Sequence, residues 1–289
     1  MTKTTAERAI VVGVDTSQAC LDAARWAAYE AVRCGVKIRL VHACIFPPAD
    51  LAHQGSSAGE DEELLLEHGN QWLKRAAIVA RYAAPGVRFE TEARFGLAPE
   101  LLLAESAEAR LIVVGSHGLG GLRGVLIGSV ALKVAAQASC PVVVVRGSEP
   151  QLHGPVVVGV DASSESEQAV GFALEAAAAR EVPLVVAHAW HDEVATAGTN
   201  LAELKAGERR RALNDRMAGW CEKYPGVEVR LCAVRDRNAA RALLRLSVNT
   251  QLIVVGSRGR GPVAGGLPGS TGNSLLRRAT CPVVVVHER

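Results

Sequence analysis

Apolar residues run along this chain in two alternating rhythms. Residues 9–14, Val36 to Ala43, Leu111 to Val114 and Val142 to Arg146 are short, β-branched runs. Most are apolar on both faces, as strands buried inside a parallel sheet are. Val87 to Arg94 alternates apolar and polar positions and reads as a further strand. Between the runs the spacing becomes helical. Thr16 or Ser17 caps a helix that reaches Arg33, with Leu21, Ala24, Ala28 and Val32 on one face and Gly35 as its stop. Asp61 to Ala83, Pro99 to about Ala109 and Val130 to Ala138 are the next three helices. Cys44 to Glu60, with Pro47-Pro48 and a Gly/Ser cluster, reads as a mobile loop.

The pattern then starts again. Val156-Val-Val-Gly-Val-Asp161 repeats the run that ends at Asp15, and His188-Ala189 repeats His42-Ala43. Pro225-Gly226-Val227 repeats Pro85-Gly86-Val87, and Cys281-Pro-Val-Val-Val-Val repeats Cys140-Pro-Val-Val-Val-Val. So many anchors in order mark an internal duplication, with the second copy shortened opposite residues 43–85. Residues 1–147 form one domain, 148–154 a linker and 155–289 the second domain. Strands alternating with helices specify α/β architecture with helices on both faces. The expected fold is two tandem doubly wound five-stranded parallel sheets, each in the order 3-2-1-4-5. A ligand then belongs outside the carboxyl ends of strands 1 and 4, where the order reverses.

Composition narrows the partners. The formal charge is only +2, so nothing in the overall balance marks a nucleic-acid binder. No apolar run is long enough to span a bilayer, and the N-terminus does not read as a secretory signal. The seven cysteines are odd in number and contain no CxxC, which suits reduced thiols in a cytoplasmic protein.

The chemistry gathers at two glycine-rich stretches, GSHGLGGLRGVLIGS from Gly115 and GSRGRGPVAGGLPGS from Gly256. In each, a Gly is followed by two residues, a second Gly, nine residues and Gly-Ser. Each lies between strand four and a helix. Such a loop directs backbone N–H groups and the positive end of a helix dipole at an anion, which suits phosphate. The bland alternative is that the glycines only make turns and that Ser129 and Ser270 only cap helices. Neither loop is a Walker A motif, and neither follows strand one as a dinucleotide fingerprint does. Asp15 and Asp161 end strand one and can accept from a ribose hydroxyl or base amino group, or cap the next helix. His117 and Arg258 occupy one place in the two loops, with Arg123 and Arg260 nearby. His42 and His188 suit packed, hydrogen-bonded roles. Neither a nucleophile–histidine–acid arrangement nor a metal cluster is readable, and Cys140 and Cys281 look structural.

VVGVD with Ser/Thr, GxxG, nine residues and GS, then CPVVVV, resembles the ATP-binding branch of the universal stress proteins. The resemblance covers nearly the whole chain twice, in the manner of tandem members from actinobacteria. It implies ATP in each domain, with Mg2+ or Mn2+, and hydrolysis slow or absent. It also implies a nucleotide-dependent regulator of stress or dormancy with an unidentified protein partner. Dimers through the last strand are expected, with pairing of the two halves and of whole chains. By position, Asp15 and Asp161 lie near adenine, and Ala43 and Ala189 touch it through backbone. Gly115, Gly118, Gly128 and Ser129 hold ribose and phosphates in the first half, with Val130 adding a contact. Gly256, Gly259, Gly269, Ser270 and Thr271 do so in the second. Pro262 and Pro268 depart from the first loop, and a Pro before Gly269 removes a donor. The second site is therefore expected to bind ATP less well. An ATP pyrophosphatase or adenylating enzyme and a nucleotide-free dimeric scaffold are the competing classes. The former needs a strand-one SGGxDS-type loop that GVDTS does not supply.

Overall fold

The computed structural model describes residues 8–46, 58–118, 127–147, 153–161, 163–190, 199–257 and 269–287. The chain divides into two compact units, one ending at Ser148 and the next beginning at Glu149.

The first unit runs β1 (Ile10–Val14), α1 (Gln18–Cys34), β2 (Ile38–Cys44), α2 (Ala58–Ala83), β3 (Phe89–Phe95), α3 (Ala98–Ser106), β4 (Leu111–Gly115), α4 (Ser129–Gln137) and β5 (Val142–Val145). Its strands lie in the order β3-β2-β1-β4-β5. Every pairing is parallel, with Val12 opposite Leu40 on one side and Val113 on the other. The second unit runs β6 (Val156–Gly159), α5 (Ser164–Arg180), β7 (Leu184–Trp190), α6 (Thr199–Lys223), β8 (Val229–Arg235), α7 (Ala239–Leu246), β9 (Leu252–Gly256), α8 (Ser270–Arg278) and β10 (Val283–Val286). Its order is β8-β7-β6-β9-β10, again parallel. The order expected from the sequence is the one observed within each unit, with helices packed on the sheet.

The central strands are buried because their Val, Ile and Leu side chains point alternately into two covered faces. Ala23, Ala24, Ala27, Ala28 and Ala31 of α1 have no exposed surface, and their small side chains let the helix lie close to the sheet. Gly115 marks the closest approach: a Cβ there would stand 2.6 Å from the carbonyl carbon of Ala19. Ser17 is the N-cap of α1, its hydroxyl accepting from the Cys20 N–H at 3.2 Å. Gly35 ends α1 in the left-handed region at φ 66°. In the second unit Glu181 takes the same conformation without glycine's freedom.

Several boundaries move: β2 begins at Ile38 rather than Val36, α3 ends at Ser106 rather than near Ala109, and the starts of α2 and β3 differ as well. The second helix begins at Ala58 rather than Asp61, into the segment read as loop. Acidic residues at 61–63 suit the positive end of a helix dipole, which a reading by proline and glycine underweights. The third strand begins at Phe89, not Val87, because Val87 is still turning: its N–H donates to the Ala84 carbonyl after Gly86 at φ 91°. The shortening of the second copy falls largely between strand and helix, since β2 ends at Cys44 and α2 starts at Ala58, whereas β7 ends at Trp190 and α6 starts at Thr199. None of the seven cysteines is in a disulfide, and Cys140 and Cys281 are buried at strand starts.

Candidate functional site

In the first unit β1 and β4 lie side by side, and the chain leaves their ends in opposite directions, β1 into α1 and β4 into the glycine loop. The gap between these exits is where a doubly wound sheet accepts a ligand. Asp15 follows β1. Its Oδ1 accepts from the Ser17 N–H at 2.8 Å and from the Ser17 hydroxyl at 2.6 Å. The Ser17 hydroxyl also stands 3.3 Å from the His117 carbonyl, which ties the first loop to the glycine loop. Gly118 passes so near that a Cβ on it would meet Asp15 Oδ2 at 2.8 Å. The Gly128 N–H donates to the Ser116 carbonyl at 2.8 Å, closing the loop onto its own start.

Gly128 is the N-cap of α4, and no side chain caps that helix. The first N–H groups of an α-helix have no partner within it, so Ser129, Val130 and Ala131 present donors at the positive end of the dipole. These residues, Asp15 and Ala43 line one cavity of about 420 Å³. Val41, Ala98, Leu101 and Leu102 form an apolar part of the wall. All seven first-half residues singled out in the sequence, Asp15, Ala43, Gly115, Gly118, Gly128, Ser129 and Val130, meet around this cavity.

Cys20 also lines it, donating its thiol to the Asp15 carbonyl at 3.0 Å. Burial, then the Asp15 charge, pushes that thiol up to about 12, so it is a protonated donor and not a nucleophile at neutral pH. The sequence reading missed Cys20, Val41, Leu101, Leu102 and Ile127. They are apolar or weakly polar and resemble ordinary core. One signal for Leu102 is Gly13, where a Cβ would stand 2.9 Å from Leu102 Cδ1, so glycine in β1 accommodates α3.

The second unit repeats part of this construction. Asp161 Oδ1 accepts from the Ser163 N–H at 2.9 Å, from the Ser163 hydroxyl, and from the Ser166 hydroxyl at 2.7 Å. Ser166 replaces Cys20. The Gly269 N–H donates to the Ser257 carbonyl at 3.0 Å, and Gly269 caps α8 without a side-chain bond, leaving Ser270 and Thr271 in its first turn. Ala189 stands near the end of β7 and Gly256 at the end of β9. Gly259, Arg258, Arg260, Pro262 and Pro268 lie outside the described residues, as does Arg123 of the first loop. The paired histidines are structural ties: Nδ1 of His42 lies 2.9 Å from the Val14 carbonyl, and Nδ1 of His188 lies 2.9 Å from the Val160 carbonyl. Among the described residues no group of three or more His, Cys, Asp or Glu side chains could hold a metal ion.

Comparison with known proteins gives the same duplication. The family model described as the universal stress protein family matches residues 7–146 and again 153–287. Universal stress protein Rv2005c of Mycobacterium tuberculosis is 35% identical over 303 residues, covering 100% of both chains. A universal stress protein of Mycolicibacterium smegmatis is 34% identical over 298 residues, again covering 100% of both. Among solved structures, a universal stress protein from Archaeoglobus fulgidus matches with TM-score 0.72 over 97% of this chain and 96% of that one, at 22% identity, a likeness of fold. With two copies of the motif set, two matches to one family model and full-length relatives of the same tandem form, the chain belongs to the universal stress protein family.

Proposed function

We propose that the first unit binds ATP in the cavity between β1, β4 and the start of α4. One observation carries this reading: an uncapped helix N-terminus and the described ends of a glycine loop face the same cavity as a strand-end carboxylate and an apolar wall. The donors of Ser129, Val130 and Ala131 suit phosphate oxygens, with the Ser129 hydroxyl able to add another. The apolar wall at Val41, Ala98 and Leu101 suits a base, and Asp15 Oδ2 suits a ribose hydroxyl or an exocyclic amine. The volume falls within the ~300–1,000 Å³ usual for small-ligand sites.

Mg2+ or Mn2+ would be held chiefly by the phosphates and water, since Asp15 is the only carboxylate in the cavity wall among the described residues and Ser17 already occupies its Oδ1. The metal would supply neutralisation of phosphate charge. The thiol of Cys20 is protonated, and Asp15 is engaged with Ser17. The reading is therefore retention of ATP with slow hydrolysis or none, in a cytoplasmic, homodimeric regulator of stress or dormancy whose occupancy a protein partner reads. The second unit, with Asp161, Ala189, Gly256, Gly259, Gly269, Ser270 and Thr271, is a second site of lower affinity.

Denaturing the freshly purified chain and identifying the released nucleotide tests this directly. ATP in a defined molar ratio to chain is the expected result. No nucleotide, together with a melting temperature indifferent to added ATP, would remove the proposal. Steady release of AMP and pyrophosphate would replace it with an adenylating or pyrophosphatase activity.

A further inference from the structure

The two units differ in charge where strand three meets helix three. In the first unit this corner is built from Phe95, Gly96, Leu97, Glu100 and Ala104. In the second, β8 ends at Arg235, Asp236 and Arg237 follow, and Asn238 caps α7. Arg241 takes the place of Glu100 and Arg245 that of Ala104. Arg241 and Arg245 bond one carboxylate and Arg235 and Arg237 flank it in the chain, a local excess larger than the +2 of the whole chain.

Three of the four are held in place. The Asp236 side chain is 2% exposed, while those of Arg241 and Arg245 are 65% and 59% exposed. Arg241 donates to Asp236 through Nε and through a terminal nitrogen at 2.7 Å, and Arg245 donates from one terminal nitrogen at 2.9 Å. Arg235 stands 6.0 Å over the ring of the buried Trp190. Arg237 is exposed and has no ion pair or hydrogen bond among the described residues. Asp236 is used up beneath the patch, whereas each guanidinium it orients keeps N–H groups turned to solvent. A surface arginine normally gives up rotamer freedom when it binds, and these are already ordered.

We infer that the arginine corner of the second unit, Arg235, Arg237, Arg241 and Arg245 set over Asp236, is a recognition surface for a carboxylate-rich segment of a partner protein. Forked, charge-assisted bonds to carboxylates are what pre-ordered guanidinium groups make best. A nucleic-acid track is disfavoured because the aromatic ring of the corner, Trp190, is buried and offers no stacking platform. A lipid surface is disfavoured because none of the large apolar side chains exposed among the described residues lies between Arg235 and Arg245. The inference does not depend on ATP binding. It gives the unidentified partner a chemistry and a place.

Fluorescence anisotropy with a labelled hexaglutamate peptide and the full-length chain, at low salt, is the test. Arg235→Ala with Arg237→Ala leaves Asp236 paired and is expected to weaken binding about tenfold. Asp236→Asn with Arg241→Gln and Arg245→Gln removes the buried charge along with its partners and is expected to weaken it further. A thermal melt shows whether each variant is folded. Absence of peptide binding to the native chain, or equal binding by a folded variant, overturns the inference. Tighter binding of a single-stranded oligonucleotide than of the peptide overturns it in favour of nucleic acid. A salt-sensitive dimer that both variants abolish overturns it in favour of a second copy of this chain.

Discussion

Two glycines three residues apart do different work. Gly115 is fixed by α1, since any Cβ would press on the Ala19 backbone, which cannot move aside. Gly115→Ala should cost roughly 1–3 kcal/mol in chemical denaturation, whatever ligand is present. Gly118 is constrained by the Asp15 carboxylate, the end of a short side chain at the proposed ligand position. Gly118→Ala should leave the ligand-free melt almost unchanged yet sharply reduce co-purified nucleotide. Ser17→Ala removes the cap of α1 and the hydroxyl donor to Asp15 Oδ1, keeps the backbone N–H donor, and should cost about 1 kcal/mol. Asp236 titrates well below the ordinary carboxylate range because the Arg241 guanidinium and the Asn238 N–H bond its charged form. Its folded pKa is depressed, so its contribution to stability is complete above the ordinary aspartate range and is lost as pH falls toward the folded value. Asp236→Asn should therefore flatten the acid limb of a stability-versus-pH curve and leave the alkaline limb alone. Asp15 and the glycines were legible as residues because both copies repeat them at one spacing. Leu101, Leu102 and Cys20 were not, because an apolar side chain facing a cavity has the same sequence signature as one facing the core.

At the scale of elements, most strands of the first half were readable as short β-branched runs between helical stretches and the third by its alternation, and the parallel order followed from strands alternating with helices. The boundaries were less so. Val87 has the composition of a strand, but the turn at Gly86 holds it outside the ladder, and the start of α2 depends on acidic residues favouring a helix N-terminus. The start of α4 was readable as a glycine loop entering a helix, whereas the lack of any side-chain cap on Gly128 is a fact of geometry. That geometry makes an element-scale prediction. Added ATP should slow amide hydrogen exchange at Ser129, Val130 and Ala131 more than in the middle of α1, as measured by exchange with mass or resonance detection. Equal slowing in both helices would mean general tightening and not a ligand on the α4 donors.

For the whole molecule, duplication supplies two similar frames, and substitution has then altered each. The cavity of the first unit carries Cys20, Val41 and Leu101. The second unit has Ser166, Ala187 and Ala242 at the matching places and adds the arginine corner. Released nucleotide near one per chain would locate the loss in the second unit, and a further Gly118→Ala change should then remove nearly all of it. Near two per chain, both frames hold ligand despite Pro262 and Pro268. The open start of α4 has a broader consequence. Donors that the fold itself does not satisfy are left to water until something anionic arrives, so the folded state is deepened by whatever ligand occupies them. At a free ligand concentration ~100 times the dissociation constant the gain is about 2.7 kcal/mol. A chain built this way would act as a gauge: as the cellular nucleotide pool drains, its population of opened molecules rises, and its lifetime against proteases shortens with no catalytic event at all.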